Sequence, residues 1–355
     1  MKYRSVMRSA IAFVFLLFLS AMAHAQVFRA YLSSTGNDLN NTTCSLAAPC
    51  RLLPAALGAV ADGGEVWMLD SANYNTGTVT ITKSVSIIAA PGVLGSILSV
   101  AAGGNAIDIT TAGVKVALRN LVIVPEKVGF GANGINMTSG ASLTVENCLI
   151  ANLQGSGIYV DGTASVRVAN TTVRGNVSDG IRLQGGARAT ITRAIVGENG
   201  GSGIVVSGTL GKMTTADIAD STADANVLHG IVAYSDSLST VVKVSVRDSR
   251  AVRNASAGMV AQLGAGGSNS SITLSASNNV ISNNGVYGIA VVNPLAGVPA
   301  GPNTRTNVWA SGNTVSDNAS YGLYNSGGLL ESASNNAVRN NGINAFGTVT
   351  PIATM

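Results

Sequence analysis

The chain has 355 residues, of which 11% are charged and 5% aromatic, and it carries 42 glycines. Its formal charge of +4 falls to 18 basic against 17 acidic residues once Lys2, Arg4 and Arg8 are set aside, so a nucleic-acid or anionic-membrane partner has no electrostatic basis. His229 is the only histidine after residue 25, which excludes multi-histidine metal centres and most histidine-centred triads.

Residues 1–25 read as a signal peptide. Lys2, Arg4 and Arg8 give a basic start, Ile11 to Leu19 an apolar run, and Ala23-His24-Ala25 a small-residue cleavage site before Gln26. The apolar run is short for a membrane span, so the expected product is secreted or periplasmic and not membrane-embedded. Residues 26–64 read as an N-terminal cap. Cys44 and Cys50 lie close together in a polar stretch of an exported chain, which suggests a local disulfide. Leu52, Leu53, Ala56, Leu57 and Val60 have helical spacing, giving an amphipathic helix over about 51–62 that Gly63-Gly64 ends and that lids the first coil. Strands are expected at Glu65 to Leu69 and Val79 to Ile88.

From there to residue 345 the chain repeats itself. Asn-x-x-x-Gly followed by Ile, Leu or Met occurs at Asn176, Asn199, Asn226, Asn254, Asn284 and Asn318, with looser copies at Gly134-Ile135 and Gly157-Ile158. Successive glycines stand 23, 23, 23, 27, 28, 30 and 34 residues apart, the mark of stacked units that cannot bury an apolar face singly. After each glycine the pattern alternates, as in Ile158 and Val160 or Ile181 and Leu183, so one face is buried and the other exposed. A second run (Val166-Arg-Val168, Ala189-Thr-Ile191) and a third apolar stretch (Val173, Val196, Val252) complete each unit. Three short strands per coil predict an all-β parallel β-helix, with inward Ile, Val and Leu columns. The six asparagines form a turn ladder, suited by their tolerance of left-handed backbone. Insertions at Leu263–Ser271 and Pro294–Thr306 lengthen later coils, either as a groove wall or as surface slack. Cys148 is a small buried thiol, and residues 346–355 close the far end.

These repeats resemble the right-handed parallel β-helix repeats of the pectin-lyase-like superfamily. Tyr31 to Asp38, Cys44 to Arg51 and Thr80 to Ile87 look like the start of its exported bacterial members. The resemblance implies the handedness and a polysaccharide partner, but no particular activity, because that scaffold carries lyases, hydrolases, epimerases and binding proteins alike.

Stacking the strands places Asn136, Tyr159 and Arg182 in one outward column and Thr138, Asp161 and Gln184 in the next. An aromatic ring, a carboxylate and a guanidinium suit a sugar chain. Were the protein a lyase or epimerase on uronic-acid polymers, Arg182 would be the base, Asp161 would orient sugar or Ca²⁺, and Tyr159 would be a platform. The plainer reading is a solvated face with an Asp161–Arg182 pair, and the rival function is a non-catalytic adhesion or structural module. Ser156, Asp179, Ser202 and His229 form a column before the glycines whose side-by-side groups do not make a triad, and Tyr287 and Tyr321 continue it as stacked neighbours or a sugar platform. Asp217, Asp220 and Asp224 lie close together in one coil and could bind Ca²⁺, but they point in different directions, so the expectation is scattered surface charge with no metal site assigned. Glu146 and Arg167 make an ordinary cross-coil pair. A monomer is expected.

Overall fold

The computed structural model describes residues 26–293 and 305–352. The leader at 1–25 and all but the last two residues of the Pro294–Thr306 insertion lie outside them. The chain winds through three parallel sheets of 11, 13 and 11 strands, each strand pairing with its counterpart in the coils before and after. We call them the first sheet (Ile158–Asp161 and equivalents), the second (Ser165–Ala169) and the third (Thr172–Arg174), in the order the chain visits them. Register is strict. Ile135, Ile158, Ile181, Ile204 and Ile231 lie directly above one another and are all buried. Burying each such side chain contributes roughly 2 kcal/mol, so the interior column is a principal source of stability.

A single left-handed residue makes each of the two tight corners. Between second and third sheets these include Asn147, Asn170, Arg193, Asp220 and Asn278, and between third and first Asn152, Glu198, Ala225, Arg253 and Asn283. The ladder asparagines stand one residue later and are not themselves left-handed, which corrects the expectation. Their role is to hold the corner. Asn176, Asn199, Asn226, Asn254, Asn284 and Asn318 each donate a backbone N–H and a side-chain Nδ2–H to the amide oxygen of the asparagine one coil on, at 2.8–3.2 Å. A second ladder occupies the other corner: Ser249 donates its N–H to Asn279, Asn279 to Asn313, and Asn313 to Asn336. Cys148 belongs to that same position, its N–H meeting Thr171 Oγ1 at 3.4 Å.

The repeated glycines serve a different purpose from the one their turn setting suggests. Gly157, Gly180, Gly203 and Gly230 do not have positive φ. A Cβ on Gly180 would lie 2.3 Å from Val196 Cγ1 and 2.7 Å from the Gly203 carbonyl, so close packing excludes a side chain.

At the N-terminal end the helix spans Leu53–Ala59, shorter than expected, burying Leu53, Ala56 and Ala59 against the first strands. Gly63-Gly64 does not stop it, for both lie inside strand Val60–Met68, beside a register shift opposite Val27–Leu32. The strand expected over Val79 to Ile88 divides into Val79–Ile81 and Val85–Ala89, which belong to different sheets. Cys44 and Cys50 are disulfide-bonded, and Cys148 is free and buried. At the far end, Ile343–Phe346 and Val349–Ile352 continue the stack as strands instead of lying across it, and Ile343 and Phe346 are about half exposed. Among the described residues no helix is long and apolar enough to cross a membrane.

Candidate functional site

The outward column of the first sheet runs Asn136, Tyr159, Arg182, Val205, Val232, Val260, Ala290, Tyr324, each in register with the next. Gln184 stands opposite Asp161, as stacking requires, whereas Thr138 lies just past the end of its strand. The face divides into a polar half and an aromatic half.

In the polar half the side chains bind one another. Gln184 Nε2 donates to Tyr159 Oη at 2.9 Å and to Asp161 Oδ2 at 3.0 Å, and Tyr159 Oη lies 3.4 Å from the same carboxylate. Arg182 Nε donates to Gln184 Oε1 at 3.1 Å, while its Nη1 reaches Asp179 Oδ2 at 3.1 Å. The expected Asp161–Arg182 pair is therefore replaced by Asp179–Arg182. The cause is register: Arg182 faces Tyr159 across the rung, so its long side chain turns back along its own strand. Asn136 is tied separately, donating to Asp108 Oδ1 at 2.8 Å. Burial, reinforced by the Asp161 charge, holds the Tyr159 hydroxyl above its ordinary pKa.

The column before the glycines makes no proton relay. Asp179 Oδ1 accepts the Ser202 N–H at 2.8 Å, Ser202 Oγ accepts the His229 N–H at 3.3 Å, and His229 Nδ1 accepts the Ala257 N–H at 3.3 Å. Each side chain thus caps the backbone one coil on. Burial lowers the His229 pKa despite the nearby Asp179 carboxylate. A neutral imidazole accepting at Nδ1 carries its proton on Nε2, so it offers a donor.

The aromatic half is only partly legible in the sequence. Val205, Val232, Ala257, Val260 and Ala290 form a second apolar cluster outside the helix barrel, with Tyr234, Tyr287 and Tyr324 packed on it. Tyr287 stacks on Tyr324 at 4.3 Å and on Tyr321 at 5.9 Å, and Tyr324 on Phe346 at 5.4 Å. Tyr324 and Phe346 continue the Tyr159 column, and following that column coil by coil would have found them.

Elsewhere, Glu146 binds Arg119 at 2.8 Å as well as Arg167 at 3.1 Å, so the expected pair is a trio. Asp217 lies on the second sheet, Asp220 at a corner, and Asp224 pairs with Arg253 at 2.8 Å. No three His, Cys, Asp or Glu side chains among the described residues converge to hold a metal ion.

A family model described as a right-handed beta helix region matches residues 96–246 and 133–304. No curated protein matches the chain. Among solved structures the chain is similar to pectate lyase Pel9A, with TM-score 0.53, 16% identity, and coverage of 92% of this chain and 80% of that one. It is also similar to the Azotobacter vinelandii mannuronan C-5 epimerase AlgE4 A-module, with TM-score 0.55, 15% identity, and coverage of 82% and 91%. The periplasmic alginate epimerase AlgG aligns with TM-score 0.53 at 13% identity, covering 84% of this chain and 80% of that one. At these identities the likeness is one of fold.

Proposed function

The chain belongs to the right-handed β-helix family, and from that premise we propose that it is an exported protein binding a polysaccharide along the outward face of its first sheet. The observation that carries this reading is the network of Tyr159, Asp161, Gln184, Arg182 and Asp179, which fixes an aromatic ring and several polar groups in one strip. Groups already ordered lose little freedom when a ligand arrives, and sugars are recognised by ring stacking combined with fixed hydrogen-bonding groups. The stacked tyrosines further along the same sheet extend the strip.

A catalytic reading fits less well. β-Elimination breaks the C5–H bond of a uronate, forms C4=C5 and expels the C4 oxygen, while epimerisation returns the proton to the opposite face. Both need a base. A guanidinium keeps its proton, and Arg182 is committed to Asp179 and Gln184. His229 presents a donor. The reading is kept because a pectate lyase, a mannuronan C-5 epimerase and a periplasmic alginate epimerase share the fold.

Calorimetric titration against pectate, alginate and neutral glucans, with and without Ca²⁺, tests both readings. Binding that weakens at least about tenfold in Tyr159→Ala and in Arg182→Ala, without formation of unsaturated product, supports the binding function. Unsaturated or epimerised product that disappears in Arg182→Ala transfers the assignment to catalysis. No binding to any polymer overturns the proposal.

A further inference from the structure

The outward face of the second sheet carries a different arrangement. One column runs Arg188, Thr215, Lys243, Thr273, and the neighbouring one Asp217, Ser245, Ser275, Trp309, all in register. Ser245 and Ser275 are short, so the surface sinks between Lys243 and Trp309 into an open hollow of about 530 Å³. Asp217 and Trp309 are three rungs apart, roughly 14 Å at about 4.8 Å per rung, the length of a short oligosaccharide.

The charges here are free, unlike those of the first sheet. Arg188, Lys243 and Asp217 are exposed and enter no ion pair or side-chain hydrogen bond among the described residues. Arg188 and Lys243 stand two rungs apart in one column, presenting two cations along one line. Trp309 is 44% exposed, and no ring of the described residues stacks on it. The indole stands two rungs from Lys243 and four from Arg188, with Glu331 on the rung beyond it. An exposed ring with two unpaired cations set along one line suits a sugar chain bearing carboxylates.

The geometry points to a second binding site, for an acidic oligosaccharide, on the second sheet. Trp309 stacks on a sugar ring, Lys243 and Arg188 meet carboxylates, and Asp217 accepts from hydroxyls. The site is distinct from the strip at Tyr159 and does not depend on it.

The chain has two tryptophans, which allows a direct reading. Trp67 is held by Glu65 at 2.8 Å with Arg29 over its ring, so Trp67→Phe leaves Trp309 as the sole reporter. Titrating Trp67→Phe with tetragalacturonate should shift the Trp309 emission, and added salt should weaken the effect. Lys243→Glu in that background should weaken binding at least about tenfold, whereas Tyr159→Ala should leave the Trp309 response unchanged. Unchanged far-UV circular dichroism and thermal unfolding will show that the variants fold. A silent Trp309, an equal response to cellotetraose, a stronger response to single-stranded DNA, or full binding in Lys243→Glu would each overturn the assignment. Loss of the Tyr159 site with retention of this one would leave it standing.

Discussion

Asn199 directs two donors, its backbone N–H at 3.2 Å and its Nδ2–H at 2.9 Å, to one oxygen, Oδ1 of Asn226 one coil on. Both residues are buried. Asn226→Ala removes that acceptor and strands both donors away from water. A buried polar group left unpaired costs about 1–3 kcal/mol, so the substitution should destabilise by roughly 3 kcal/mol or more. A fall in the urea midpoint checks this. Because each coil rests on its neighbours, hydrogen exchange should quicken first in the coils on either side of residue 226.

Gly203→Ala tests whether the repeat glycine is selected by space. Its Cβ would lie 2.6 Å from the Gly230 carbonyl oxygen and 2.8 Å from Asn226 Nδ2, with no relief available from backbone. Overpacking of this kind costs typically about 1–3 kcal/mol. Gly77→Ala is the control, since nothing lies within 4 Å of its Cβ and its φ is not positive. Its effect should stay within about 0.5 kcal/mol. Equal denaturation midpoints for the two variants would refute the packing explanation.

The difference between these two glycines shows what a sequence of this kind reveals. A buried column such as Ile158, Ile181 and Ile204 repeats a residue type, so period and alternation disclose it. The ladder through Asn176 and Asn226 repeats likewise. The position at the other corner is held by Cys148, Thr171, Ala194, Ser221 and Ser249 before Asn279, and five residue types share one backbone position without spelling a string. Arg182 escapes for another reason: stacking identifies the residue opposite, while a long flexible side chain chooses its partner from everything within reach. The helix is shorter than its spacing predicts because Val60 fits that spacing yet pairs with Val27 as strand.

Cys148 should be inert while the protein is folded. Burial pushes its thiol up to about 11, and its Sγ faces the Glu146 and Leu118 carbonyls. Thiolate is the reacting species, so alkylation by iodoacetamide at neutral pH should be undetectable in native protein and complete in denaturant. Labelling of the native protein at the rate of a free thiol, read by mass spectrometry, would show that this corner opens.

Asp70 ties the first strand to the stack and gives the protein a defined acid response. Its carboxylate accepts from the Ser34 N–H at 2.8 Å, from Ser33 Oγ at 2.8 Å, from Ser34 Oγ at 2.9 Å and from Tyr74 Oη. Burial raises its pKa, but the hydrogen bonds from Tyr74, Ser34 and Ser33 outweigh that and bring it down to about 2. A free aspartate titrates near about 3.9, so the unfolded chain takes up the proton first as pH falls. The contribution of Asp70 to stability is therefore whole above about pH 4 and is lost as pH falls through about 2. Asp70→Asn cannot titrate. Its melting temperature should lie below that of the parent at pH 6, and the gap should close between about pH 4 and pH 2. A gap that stays constant over that range would mean that Asp70 contributes through shape and neutral hydrogen bonding, and that its charge has no part in holding the first strand.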